Sequence, residues 1–247
     1  MTKRNREKVL ENRKNKKKEK GRVIDPKFQD EVKSPVQAKT AAQKQFLTAL
    51  ANYDVVVFEA PAGCGKTFIT MSEVTDWLKK GTTDKIVLSR PAVGMGNSIG
   101  LLKGDLREKF EYYLMPLISV LKERYGASWY ENNLSSGKLM LLPLEYVRGM
   151  SIDDGVYVID EAQLTKPDEM YTLLTRMGEN GKLIVLGDRT QNDLGGRKTG
   201  IEWLTEFVEN HSEVAEYVKI IRATSDDIVR GGLCKATVKA KEKDLSV

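Results

Sequence analysis

At 247 residues, 40% hydrophobic and 30% charged, the chain suits one α/β domain with extensions, and no apolar run approaches the ~20 residues of a membrane span. Two cysteines do not make a disulfide framework and one histidine, His211, gives no basis for a metal site or a triad, so a reducing, cytoplasmic setting is expected. The net charge of +5 is uneven: residues 1–22 hold eleven Lys/Arg and three Glu, a net +8, which leaves −3 on the remainder.

The basic end, with Arg13-Lys14-Asn15-Lys16-Lys17-Lys18, cannot bury an apolar face and is expected to be disordered or a solvated helix. It has no apolar stretch behind it and is not read as a secretory signal. Its charge can neutralise nucleic-acid phosphates without regard to sequence. Residues 1–34 read as tail and linker, 35–224 as the core, and 225–247 as a polar C-terminal helix or tail.

The core opens with a helix over 38–51, which carries Gln43. Its amide can pair with the N6 and N7 edge of adenine, a preference for ATP. A strand over Val55–Glu59 follows, then Ala60-Pro61-Ala62-Gly63-Cys64-Gly65-Lys66-Thr67, then a helix over 66–78. Strand, glycine-rich loop and helix form a phosphate-binding P-loop, whose N–H groups and helix N-terminus surround a polyphosphate. Lys66 is expected to reach the β- and γ-phosphates and the Thr67 hydroxyl to hold Mg²⁺. The pattern asks for Gly where Ala60 stands; Ala serves there if its φ is negative.

A strand over 85–89 ends in Ser89-Arg90-Pro91, with Gly94, Gly96 and Gly100 beyond it. An Arg beside a glycine-rich segment is read as a nucleic-acid backbone contact. A helix over 105–125 contains Tyr112-Tyr113, read as packing residues rather than a base-stacking platform. Strands over 138–143 and 156–160 follow, the second ending in Asp160-Glu161-Ala162-Gln163. Asp160 is placed to support Mg²⁺, and Glu161 to polarise a water for attack on the γ-phosphate. After a helix over 167–175, a strand over 182–187 ends in Asp188-Arg189-Thr190-Gln191, where Gln191 is placed to sense the γ-phosphate or the attacking water. A helix over 200–208 and a strand over 218–222 complete the alternation. Such strands predict a mainly parallel sheet with helices on both faces and a ligand at its carboxyl ends.

In chain order these motifs resemble helicase motifs Q, I, Ia, II and III. More closely, the chain resembles the PhoH-like family of P-loop ATPases from about Thr40 to Arg230. The resemblance includes Ser89-Arg90-Pro91-Ala92-Val93, Pro143-Leu144-Glu145-Tyr146-Val147-Arg148-Gly149, Asp160-Glu161-Ala162-Gln163, Gly187-Asp188-Arg189-Thr190-Gln191 and Asp226-Asp227-Ile228-Val229-Arg230. It departs at Ala60, at Met150 where a second Arg is common, and at Gly231 where a His is usual. It implies a P-loop NTPase with a single RecA-like core, ATP hydrolysis, RNA helicase-like activity, ring-shaped hexamers and phosphate-starvation contexts. A lone core lacks the arginines that a second helicase core supplies, so a ring neighbour is expected to provide one. Arg230 is favoured over Arg176 and Arg148 for that part. The competing readings are an ATP-dependent switch or assembly protein with little motor activity, and a small-molecule kinase.

Overall fold

The computed structural model describes residues 35–91, 106–191 and 196–244; the basic tail and the glycines Gly94, Gly96 and Gly100 lie outside them. Six parallel strands form one sheet: β1 (Val55–Glu59), β2 (Lys85–Ser89), β3 (Leu139–Leu141), β4 (Gly155–Ile159), β5 (Lys182–Gly187) and β6 (Val218–Arg222), in the order β3-β2-β4-β5-β1-β6. The expected fold class is the one observed. All five residues of β1 and all five of β4 are buried, as required of strands covered on both faces. The edge strand β6 is less covered, with Lys219 and Arg222 exposed.

The helices are α1 (Ala41–Asn52), α2 (Lys66–Lys80), α3 (Leu106–Tyr113), α4 (Met115–Tyr125), α5 (Ala127–Ser135), α6 (Pro167–Thr175), α7 (Gly200–Asn210), α8 (Ser212–Ala215) and α9 (Gly232–Asp244). Residues of α1, α2, α4 and α5, including Phe46, Ile69, Met71, Leu117 and Tyr130, form one core layer with alternate strand residues. Met170 and Leu173 of α6 with Ile201 and Leu204 of α7 form the second layer on the opposite face. Each layer takes every other strand residue, such as Val56 and Phe58 on one side and Val55 and Val57 on the other.

The helix expected over 105–125 is two helices broken at Leu114. Pro116 lies at the start of α4, and without an N–H it cannot continue the ladder of α3. Helix α5 was not expected. Its Asn and Ser residues are weak helix formers, and the fully buried Tyr130 anchors it instead. His211 sits between α7 and α8, its Nδ1 2.8 Å from the Phe207 carbonyl.

Candidate functional site

The loop after β1 is built by its neighbours. Ala60 donates its N–H to the Gly187 carbonyl at 3.0 Å, tying the loop to the end of β5. Positive φ occurs at Gly63 (88°) and Gly65 (75°) and not at Ala60, so Ala is admissible there. Gly65 is the N-cap of α2 and supplies no side-chain cap, which leaves the first-turn N–H groups to an anion. The Lys66 ammonium donates to the carbonyls of Ala60, a short contact, and Pro61, at 3.2 Å, across the mouth of the loop. Thr67 follows in the first turn of α2, half-buried.

Gln43 is buried against this loop. Its Nε2 donates to the Cys64 carbonyl at 2.9 Å and its Oε1 accepts from the Lys39 N–H at 2.7 Å. The amide therefore fixes the loop, and it keeps one N–H and one lone pair for a further partner. Burial pushes the Cys64 thiol up to about 11, which keeps it protonated and inert.

The second group gathers at the end of β4. Asp160 is buried and its N–H donates to the Ser89 carbonyl at 3.0 Å. Burial raises its carboxyl from 3.8 to about 6; Glu161 adds to the rise, while Arg90 and Lys66 oppose it. Lys66, Arg90, Asp160 and Glu161 thus form one electrostatic cluster. Glu161 sits at φ 53°, a left-handed conformation costly for a residue with a β-carbon, of the kind that gathers at functional sites. Its Oε1 accepts from Arg90 at 3.0 Å and its Oε2 from Gln163 Nε2 at 2.6 Å.

Gln163 is buried and joins two motifs: its Oε1 accepts the Asp188 N–H at 3.0 Å. Asp188 in turn accepts from the Thr190 N–H, the Thr190 hydroxyl and Gln191 Nε2, at 2.9, 2.7 and 2.9 Å. Gln191 is thereby linked through Asp188 and Gln163 to Glu161. Sequence reasoning assigned Gln163 no part. Its place in Asp-Glu-Ala-Gln, two residues from Glu161, was the signal available.

Arg90 was expected to face a nucleic-acid backbone. Its side chain instead turns inward to Glu161. Tyr113 supports it, with the ring centroid 4.8 Å from the guanidinium and the backbone carbonyl accepting at 3.3 Å. The Tyr112 side chain is exposed. At the end of β1 the buried Glu59 pairs with Arg222 at 2.8 Å and Arg189 at 3.8 Å, a cluster the motifs did not indicate.

The segment after β6 lies on the loop. Val229 donates its N–H to the Gly63 carbonyl at 3.0 Å, and Cys234 Sγ reaches the Ala62 carbonyl at 3.8 Å. A β-carbon on Gly63 would stand 3.3 Å from Arg230 Cβ, so the exposed Arg230 starts beside the loop of its own chain. Arg148 pairs with Asp168 at 3.6 Å on an exposed face, and Arg176 caps α6. In α9, Cys234 and Val238 pack on the core while Leu233 is exposed.

No group of three or more metal-ligating side chains occurs among the described residues. The Thr67 hydroxyl and the Asp160 carboxylate are nevertheless hard oxygen donors of the kind that, with phosphate oxygens and water, hold Mg²⁺. A carboxylate that burial keeps partly protonated is one that a cation would ionise, so these residues fit the ion. No helix among the described residues is long and apolar enough to cross a membrane.

The family model described as PhoH-like protein matches residues 35–242. The chain is 36% identical over 209 residues to a PhoH-like protein of Bacillus subtilis (strain 168), covering 84% of this chain and 64% of that protein. It is 37% identical over 210 residues to Protein PhoH of Escherichia coli (strain K12), covering 84% of this chain and 58% of that protein. It thus spans about three-fifths of the length of these relatives. Among solved structures, the HK97 bacteriophage large terminase matches with a TM-score of 0.50 at 14% identity, over 87% of this chain and 49% of that one. That likeness is one of fold, a RecA-like P-loop core.

Proposed function

The chain belongs to the PhoH-like protein family, and from that premise we propose that it is an ATPase, helicase-like, acting on RNA or single-stranded nucleic acid as a ring oligomer, with six subunits as the family resemblance implies. The observation that carries the ATPase reading is the meeting of the Lys66 loop with the Asp160-Glu161 pair at the carboxyl ends of the strands, with Glu161 held at both oxygens. The loop N–H groups and Lys66 bind the β- and γ-phosphates. Mg²⁺, held by Thr67 and Asp160, supplies charge neutralisation when bound. Glu161 orients a water toward the γ-phosphorus; the β–γ bond breaks, giving ADP and inorganic phosphate. Gln191 reports the state of the γ-phosphate through Asp188 and Gln163. Gln43 turns its remaining N–H and lone pair to adenine.

Nucleic-acid binding rests on the +8 charge of residues 1–22. Two free thiols, Cys64 and Cys234, suit work in the reducing cytoplasm. The switch reading draws on the hydrogen bonds between the loop and the segment after β6, which let nucleotide occupancy alter α9 without motor work.

The test is Mg-ATP turnover with and without single-stranded RNA. Wild type is expected to hydrolyse ATP, with RNA raising the rate; Glu161→Gln keeps nucleotide affinity and loses turnover by about 100-fold or more. A Glu161→Gln protein that still turns over removes Glu161 as the water activator. Turnover that no nucleic acid moves favours the switch.

A further inference from the structure

The guanidinium of Arg90 is held where a mobile phosphate contact would not need to be held. Parallel pairing of β2 with β4 sets Ser89 opposite Ile159, and the Asp160 N–H bonds the Ser89 carbonyl. The residue after Ser89 therefore comes level with the Asp160-Glu161 pair. The Arg90 side chain is 19% exposed and is fixed at three points: Glu161 Oε1 at 3.0 Å, the Tyr113 carbonyl at 3.3 Å and the Tyr113 ring face at 4.8 Å. Tyr113 is fixed in turn, its hydroxyl donating to the Pro91 carbonyl at 2.8 Å.

This arrangement is a poor source of stability. Immobilising an arginine side chain costs rotamer entropy. Its Nε is buried without a hydrogen-bond partner among the described residues, a further cost. A half-buried ion pair returns little net energy. What the arrangement does provide is direction. With Arg90 on Oε1 and Gln163 on Oε2, the Glu161 carboxylate cannot rotate freely, and each oxygen keeps a lone pair in a fixed orientation. A base that orients water gains from that constraint, since misplacement by about 1 Å can cost on the order of 100-fold in rate.

We infer that Arg90 is a positioning residue for water activation by Glu161, acting within its own chain, so that the hydrolytic site has an arginine without help from a neighbour. The inference rests on the ATPase reading above. Other arginines are engaged elsewhere: Arg148 with Asp168, and Arg189 and Arg222 with Glu59. Among the described residues Arg90 alone pairs with Glu161. Arginine suits the task because its planar fork serves two acceptors at once, the carboxylate and the Tyr113 carbonyl, where lysine offers a single point of charge.

The experiment measures Mg-ATP turnover and binding of a fluorescent ATP analogue on the same full-length samples of wild type, Arg90→Gln and Arg90→Lys. Arg90→Gln is expected to bind the analogue within about threefold of wild type and to lose about 100-fold in kcat. Arg90→Lys, which keeps the charge and one contact, falls between the two and guards against reading a folding defect as a catalytic one. Arg90→Gln mixed with Lys66→Ala is expected to give no more than the sum of the separate rates, because each site needs its own Arg90. A kcat for Arg90→Gln within about threefold of wild type overturns the inference. So does a fall in analogue binding that accounts for the whole loss, since Arg90 would then merely support the loop. Restored activity in the mixture overturns the assignment to the same chain. Wild type without turnover overturns the ATPase reading itself, a different failure.

Discussion

Burial lifts the Asp160 carboxyl from 3.8 to about 6, with Glu161 pushing the same way and Arg90 and Lys66 only partly offsetting them. Between those two values the folded protein holds a proton that the unfolded chain has released. The group therefore subtracts stability as pH rises through that window, by about 3 kcal/mol in full. Above pH 6 the carboxylate is ionised and buried, the state that the proposed magnesium-nucleotide complex would favour. Asp160→Asn without nucleotide is expected to melt at a higher temperature than wild type at pH 7, with the gap closing by about pH 4. Mg-ATP should raise the wild-type melting temperature at pH 7 and leave the variant unmoved. A gap of the same size at both pH values would mean that ionisation of Asp160 is not its source. Backbone geometry explains why Ala60 is acceptable. Its neighbours need an N–H to bond the Gly187 carbonyl, not a positive φ, and the positive φ values fall on Gly63 and Gly65.

Among the elements, β1, β2, β5, β6 and α6 occupy the bounds expected from their residues, because continuous apolar runs between breakers leave parallel strands little freedom. The individual motifs at the strand ends were legible for the same reason. Their mutual contacts were not. Arg90 and Glu161 stand 71 positions apart, Cys64 and Thr224 stand 160 apart, and no periodicity encodes such a meeting. The segment after β6 read as a polar end carrying one family motif, Asp226 to Arg230, with nothing to place it on the P-loop, yet Ile228, Arg230 and Cys234 crowd Gly63 at 3.2, 3.3 and 3.0 Å from where a β-carbon would stand. Gly63→Ala is therefore expected to suffer twice, from its φ of 88°, costing about 1–2 kcal/mol, and from displacement of that segment. Gly137→Ala has a similar φ of 70° and open space around it, and should show the first effect alone. Thermal melts should rank Gly63→Ala below Gly137→Ala, and only the first should lose affinity for the ATP analogue. Equal losses of stability with unchanged affinity would separate the segment from the loop's function.

Across the whole molecule, charge is divided between two regions of opposite sign. Residues 1–22 carry +8 and the remainder −3, so the core by itself gives a polyanion no net attraction. Nucleic-acid affinity should then depend on the basic end and fall steeply with salt, since each phosphate neutralised on a single strand contributes roughly −0.7 to the slope of log K against log salt. A full engagement of the basic end would account for a slope of about −6. Deleting residues 1–22 is expected to weaken binding of single-stranded RNA at low salt and to flatten that slope by up to about 6. Turnover of Mg-ATP in the absence of RNA should stay at the wild-type level, because Lys66, Asp160, Glu161 and Arg90 all belong to the core. Titrations of both proteins at several salt concentrations, with the RNA-free rate measured on the same preparations, separate the two regions. If the shortened protein keeps the wild-type slope, the phosphate contacts lie on the core despite its negative balance, and the basic end only aids solubility.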